Sequence, residues 1–274
     1  MNRKSKSYPE KFYKDIMDES YKPINKIWVD EGLYKTGCYS KILYGEKNNV
    51  DTFKRLVNMY DFKDWFHASG TGTCVRKHYY ANVAKMPRNP KSKDTLRLFR
   101  LGDIVHTDIQ AAVSECAKKE GTEVFIETEI RLPELNVRGF LDLVVVEDSA
   151  LYDIKTCNSR KFKTIKNNKL NNFNEPTNYY MQLGTYGHWY EKHTGNPLEK
   201  LALLYYNKDT SEMLEFLVPR NYMDRAIRYW KQVKKEFEGG IPNVRIGFAP
   251  VKKWECNELY CDFYDVCGGG LDAD

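Results

Sequence analysis

Hydrophobic positions recur along this chain with two periods, and they divide it into helices and strands. Between residues 94 and 113, Leu98, Leu101, Val105, Ile109 and Ala112 repeat at three- and four-residue spacing. That is one apolar helical stripe, with Asp94 or Thr95 placed to cap its start. Residues 139–146 and 151–156 are short apolar runs joined by the polar turn 147–150, which reads as a tight hairpin. A second helix is predicted over 175–190, with Pro176 in its first turn and Gly195 beyond its end. Strands follow at about 198–206 and 212–218, then a helix over about 222–237 stopped by Gly239 and Gly240. A further helix is predicted at 51–62, and the Lys- and Asn-rich stretch 159–174 reads as a mobile basic loop.

The hairpin carries the chemistry. If Val146 pairs with Leu151, Asp142 lies opposite Lys155 and Val144 opposite Asp153. Side chains alternate faces along a strand, so Asp142, Asp153 and Lys155 share one face. Two carboxylates and an ammonium on strands of Val, Leu and Ile are costly unless compensated. A divalent cation such as Mg²⁺ or Mn²⁺ would compensate them through hard oxygen ligands. An ordinary solvated ion pair on a surface hairpin is the competing reading.

Three residues elsewhere extend the pattern. His106 sits beside the stripe of the first helix, with Gly102 one turn earlier, either as a metal ligand or as a core histidine bonded to a carbonyl. Gln182 and Tyr186 are four apart and share a face of the later helix, where an amide and a phenol can hold a phosphate or a base without adding charge.

Of seven cysteines, Cys256, Cys261 and Cys267 crowd near the C-terminus, and Cys74 lies far upstream beside Arg76 and Lys77. Four thiolates suit a [4Fe–4S] cluster or tetrahedral zinc. Cys38, Cys116 and Cys157 have no such company and read as small hydrophobes.

Taken in order, these motifs are G-x-x-x-H on a helix, G-x-x-D, D-x-K and Q-x-x-x-Y. The series resembles the RecB-like branch of the PD-(D/E)XK nucleases from about Leu96 to Tyr190. The resemblance implies an α/β core, a mixed central sheet flanked by helices. It implies His106, Asp142, Asp153 and the main-chain carbonyl of Ile154 as metal ligands, Lys155 as catalytic lysine, and Gln182 and Tyr186 as groups that position DNA. The distribution of Cys74 and the C-terminal trio is similar to the iron–sulfur staple of CRISPR-associated RecB-family exonucleases and AddB-type nucleases. Here the first gap in the trio is four residues, where that family usually has two.

Composition sharpens this only modestly. A net charge of +5 over 274 residues proves little by itself. Its placement matters more: Arg76, Lys77, Arg160 and Lys161 flank the proposed site and are placed to follow phosphates. No apolar run has the length of a membrane span, and no secretory signal is read, so a reducing cytoplasm is expected. No G-x-x-x-x-G-K-[ST] loop is present, so any helicase motor would come from a recombination partner. The expected activity is metal-dependent hydrolysis of DNA, as an exonuclease on ends or single strands, in phage or mobile-element recombination, repair or replication. A catalytically silent DNA-binding module is the alternative. Residues 1–66 are expected to form a helical extension to a nuclease domain spanning 67–274.

Overall fold

The computed structural model describes residues 65–89, 91–171, 174–237, 240–242 and 251–268. The helix predicted at 51–62 and nearly all of the expected N-terminal extension lie outside them, as does Gly239. The chain divides into two compact units, Met1–Lys63 with Lys91–Leu101, and Asp64–Pro90 with Gly102–Asp274. The second unit carries the sheet.

Its strands are β1 (Phe66–His67), β2 (Val124–Leu132), β3 (Val137–Val145), β4 (Ala150–Cys157), β5 (Lys200–Asn207) and β6 (Met213–Leu217). The helices are α1 (Val75–His78), α2 (Lys93–Glu120), α3 (Ser159–Lys166), α4 (Thr177–Thr194), α5 (Asn221–Glu236) and α6 (Tyr264–Cys267). Strand β2 runs antiparallel to β3 from Val137 to Val145 and so occupies one whole edge of it. Strands β1 and β4 therefore share the other edge, β1 parallel at its start and β4 antiparallel at its end. Residues 139–142 of that edge are left without a strand partner, and the sheet opens there. Beyond β4 the sheet continues through parallel β5 and antiparallel β6. This is the mixed sheet flanked by helices that the sequence predicted.

The hairpin differs from expectation in one respect. Leu143 pairs with Tyr152 and Val144 with Leu151, a register two residues away from the one predicted. The turn is Val146–Ser149: Ser149 takes a left-handed φ of 46° and donates its N–H to the Val146 carbonyl at 2.9 Å, so Ala150 already belongs to β4. Asp142 consequently faces Asp153, not Lys155. A shift of two preserves the face of every side chain, so all three still project together.

Two other expectations are corrected. The start of the predicted basic loop is α3, because Phe162 and Ile165 fall three apart and both are buried, while Asn158 caps the helix by accepting the Lys161 N–H at 2.9 Å. Helix α2 is capped by Ser92, whose Oγ accepts the Thr95 N–H at 3.2 Å, in place of Asp94 or Thr95. Its buried stripe within the sheet-bearing unit is Val105, Gln110 and Ala117, with Ala112 exposed.

Helix α4 is buried along most of its length and packs against α5, where Tyr222, Tyr229 and Trp230 are buried. Gly184 makes this approach feasible: a Cβ on it would stand 2.3 Å from the Tyr222 carbonyl oxygen. Gly195 ends α4 with a φ of 76°, as its position in the sequence predicted. No helix among the described residues is long and apolar enough to cross a membrane.

Candidate active site

The opening between β3 and β4 is where the polar side chains converge. Register places Asp142 opposite Asp153 one step past the last paired residues, and both are buried. Asp142 takes over the missing ladder bond: its Oδ2 accepts the Ile154 N–H at 2.7 Å. On the far side, Gln182 Nε2 donates to Asp153 Oδ1 at 3.2 Å, while Lys155 Nζ lies 2.6 Å from Asp153 Oδ2. The Lys155 ammonium is also 5.0 Å from the centre of the Tyr179 ring, so a charged pair and an aromatic face hold it together. From α2, His106 Nδ1 reaches to 3.5 Å from Asp142 Oδ2.

One acidic residue in this cluster has no counterpart in the sequence reading. Glu127 lies on β2 between Ile126 and Thr128, which pair with Leu143 and Leu141 on either side of Asp142, and ligand atoms of His106, Glu127 and Asp142 all lie within 4.8 Å of one another. Its φ of 45° in mid-strand is a left-handed conformation that a non-glycine residue holds only at a cost of about 1–3 kcal/mol. Gln110, one turn after His106, fixes it. Gln110 Nε2 donates to Glu127 Oε1 at 3.2 Å and to the main-chain carbonyl of Asp142 at 3.1 Å. The signal available in the sequence was the alternation of β2, but it becomes readable only once β2 is in register on β3.

Burial sets the electrostatics. It pushes Asp142 well above the ordinary carboxylate range, with the Asp153 charge adding to the effect and Lys155 opposing it. Burial also raises Asp153, again with Lys155 opposing. Lys155 itself is depressed by burial, but Asp153 and Asp142 outweigh that and hold it above the lysine range. Burial, then the Lys155 charge, lowers His106 to about 4, with the Ile154 carbonyl opposing, so its ring is neutral near pH 7. Three carboxylates face one ammonium and a neutral imidazole. A hard oxygen-seeking cation fits this excess of negative charge, and His106, Glu127 and Asp142 are the side chains whose ligand atoms converge closely enough to hold it.

The remaining candidates fall in two places. Gln182 and Tyr186, expected to touch DNA, are both buried, and Gln182 bonds Asp153 and the Tyr186 hydroxyl (3.0 Å). They hold the carboxylate from behind. Lys161 stands 5.0 Å from the Tyr179 ring that Lys155 also contacts, and Arg160 beside it is exposed. Arg76 and Lys77, expected on a phosphate path, lie elsewhere: Arg76 donates to Cys267 Sγ at 3.3 Å and to the Pro242 carbonyl, and Lys77 donates to the Tyr260 carbonyl. They belong to the cysteine site, because α1 follows directly from Cys74.

At that second place Cys74, Cys256, Cys261 and Cys267 line a single pocket with Tyr80 and Phe263, although Cys74 is 182 residues before Cys256 in the chain. Burial pushes the Cys74 thiol up to about 11, against the N–H groups of Arg76 and Lys77, and raises Cys261 as well. Thiols gathered this way from distant segments suit a metal, which displaces their protons on binding.

Solved structures of similar fold include the protein in the crystal structure of SSO0001, at 18% identity and a TM-score of 0.46, covering 76% of this chain and 88% of that one. An alkaline exonuclease (LHK-Exo) from Laribacter hongkongensis is similar at 17% identity and a TM-score of 0.44, covering 67% and 92%. Its complex with dAMP is similar at 18% identity and a TM-score of 0.43, covering 66% and 90%. No curated protein matches the sequence. Residues 64–237 match the family model described as a PDDEXK-like domain of unknown function (DUF3799), and the chain, with its splayed β3–β4 carboxylates and D-x-K lysine, belongs to that family.

Proposed function

We propose that the chain is a metal-dependent DNA nuclease that hydrolyses phosphodiester bonds, working as an exonuclease on DNA ends or single strands. The observation that carries this reading is the pair of buried carboxylates Asp142 and Asp153 with the partly buried Lys155 at the sheet opening, with His106 and Glu127 completing an oxygen-rich donor set. A bound Mg²⁺ or Mn²⁺ would act as a Lewis acid and lower the pKa of an attacking water. The protein supplies the rest. Asp153 orients Lys155, whose ammonium is placed to hold that water and to stabilise charge developing on the phosphate. Gln182 fixes Asp153 from behind, and Gln110 fixes Glu127. The Ile154 carbonyl, beside His106, is a further oxygen ligand in this reading.

We further propose that the four-cysteine pocket holds a [4Fe–4S] cluster, with zinc the alternative, acting as a structural staple between Cys74 and the C-terminal trio. Support comes from the convergence of the four sulfurs on one pocket and from the Arg76 guanidinium, which donates to Cys267 Sγ.

The test is digestion of DNA labelled at its 5′ or 3′ end with Mg²⁺, Mn²⁺ or EDTA, comparing the wild type with Lys155→Ala. Release of label by the wild type alone, dependent on metal, is the expected result. Binding without digestion under every condition would move the protein to the catalytically silent class.

A further inference from the structure

The site described so far holds catalytic groups but not the length of a nucleic acid, and an unusual pair of cations lies beside it. Helix α3 begins immediately after β4, and its Asn158 cap presents Lys161 in the first turn. The Lys161 ammonium lies 5.0 Å from the Tyr179 ring centre, the same distance as Lys155. One ring therefore organises both lysines. Elsewhere on α3, Lys166 is neutralised by Glu212 at 3.0 Å. Among the described residues no carboxylate forms a salt bridge with Lys161, whose ammonium lies 5.0 Å from the Tyr179 ring centre and 5.9 Å from that of Tyr205.

A third cation continues the line. Lys252 donates to the main-chain carbonyl of Glu175, just ahead of α4. Burial lowers its pKa, Glu255 and Glu175 oppose that, and the neighbouring Lys161 charge adds to it. Glu175 lies one turn ahead of Tyr179, so Lys252 and Lys161 are both anchored at the start of α4, and no carboxylate salt bridge joins either one among the described residues. With Lys155 on the same Tyr179 ring, three ammonium groups gather around the start of α4 and offer positive charge to an anion. Lys252 also lies four residues before Cys256, on the segment that the cysteine pocket anchors.

We propose that Lys155, Lys161 and Lys252 form a phosphate track. Lys161 would bind the phosphate next to the scissile one, and Lys252 the phosphate beyond it. The ligand is the sugar–phosphate backbone of a single DNA strand entering the site. The cysteine pocket then has a role in substrate binding, because it fixes the segment bearing Lys252. Lys161 and Lys252 are positioning residues: they act on the strand and not on the reacting atoms. The proposal deepens the nuclease reading and rests on it for its cleavage arm alone.

The experiment measures binding of a fluorescent single-stranded oligonucleotide by anisotropy in EDTA across a salt series, and cleavage of the same oligonucleotide with Mg²⁺. The wild type is compared with Lys161→Gln, Lys252→Gln and the charge-preserving Lys161→Arg and Lys252→Arg. Each Gln variant is expected to weaken binding about fivefold at low salt and to reduce the slope of log affinity against log salt by about 0.7–1. KM should rise with little change in kcat, and the Arg variants should restore affinity. Gln variants that bind with wild-type affinity and salt slope overturn the track, whether or not the wild type cleaves. Wild-type binding that depends on both lysines, without cleavage, retains the track and removes the nuclease. A Gln variant with a lowered melting point is judged through its Arg counterpart, and failure of the Arg variant to restore binding also overturns the proposal.

Discussion

Asp142 and Asp153 face each other across the point where β3 and β4 separate, and the Asp142 carboxylate accepts the Ile154 N–H that would otherwise pair the strands. Burial raises both carboxyls, Asp142 the more strongly. A group whose folded pKa is raised contributes stability that is complete below its unfolded pKa, about 4, and is lost as pH rises through the folded value. Because His106 and His78 titrate in the opposite sense, the net trend is not the readout: in metal-free protein Asp142→Asn is expected to gain stability relative to wild type as pH rises from 5 to 8, while abolishing metal-dependent activity. Thermal melts in EDTA at the two pH values decide it; the same change with pH in variant and wild type contradicts the assignment.

Gln110 touches no expected substrate, yet its amide spans Glu127 and the Asp142 carbonyl. Removal of such an outer partner typically weakens metal affinity or activity about 10–100-fold. Gln110→Ala should therefore raise the Mn²⁺ dissociation constant, measured by calorimetry, by a factor in that range. An unchanged constant would mean that Glu127 needs no support or does not bind metal.

His106 gives a pH signature of opposite sign. Its folded pKa is lowered to about 4, so its contribution is fully present above about 6.5 and is lost as pH falls toward 4. The shift corresponds to about 3.4 kcal/mol as an upper bound. His78, buried and also lowered to about 4, titrates in the same window, so only a difference measurement isolates His106. In EDTA, His106→Gln should gain stability relative to wild type between pH 7.5 and pH 4.5. A difference that does not change with pH argues against a buried neutral imidazole.

The α4–α5 contact leaves no room at Gly184, where an added Cβ would meet the Tyr222 carbonyl oxygen and the Met223 nitrogen. Backbone on the opposing helix cannot rotate away, so overpacking should cost about 1–3 kcal/mol in Gly184→Ala. Urea unfolding checks this. Wild-type stability would mean that the helices sit farther apart.

Cys261 is buried beside Tyr80 and Phe263 in a small core of its own. Loss of one ligand from a staple removes folding energy along with the metal. Cys261→Ser should carry background iron and lack visible absorbance, and its melting point should fall by about 5–10 °C. A variant with unchanged iron content and melting point would exclude the cluster; zinc in stoichiometric amount in the wild type would identify the alternative.

Much of this was legible along the chain because it rests on local periodicity. Helix α4, its Gly195 stop, and the shared face of Asp142, Asp153 and Lys155 follow from spacings of 3.6 and 2. The face assignment survived a two-residue error in register, since parity along a strand is unchanged by an even shift. Helix α3 was missed because a short Lys-rich segment with two apolar positions is helical only when a sheet covers Phe162 and Ile165. Register itself was not legible, and with it went the Asp142–Asp153 opposition and Glu127, whose side chain joins the site only through the pairing of β2 with β3. Nor could the sequence place Arg76 and Lys77, which their neighbour Cys74 carries to the cysteine pocket. Local pattern determines which residues share a face. Which faces meet is decided by strand register and helix packing, long-range choices made by burial of the whole core.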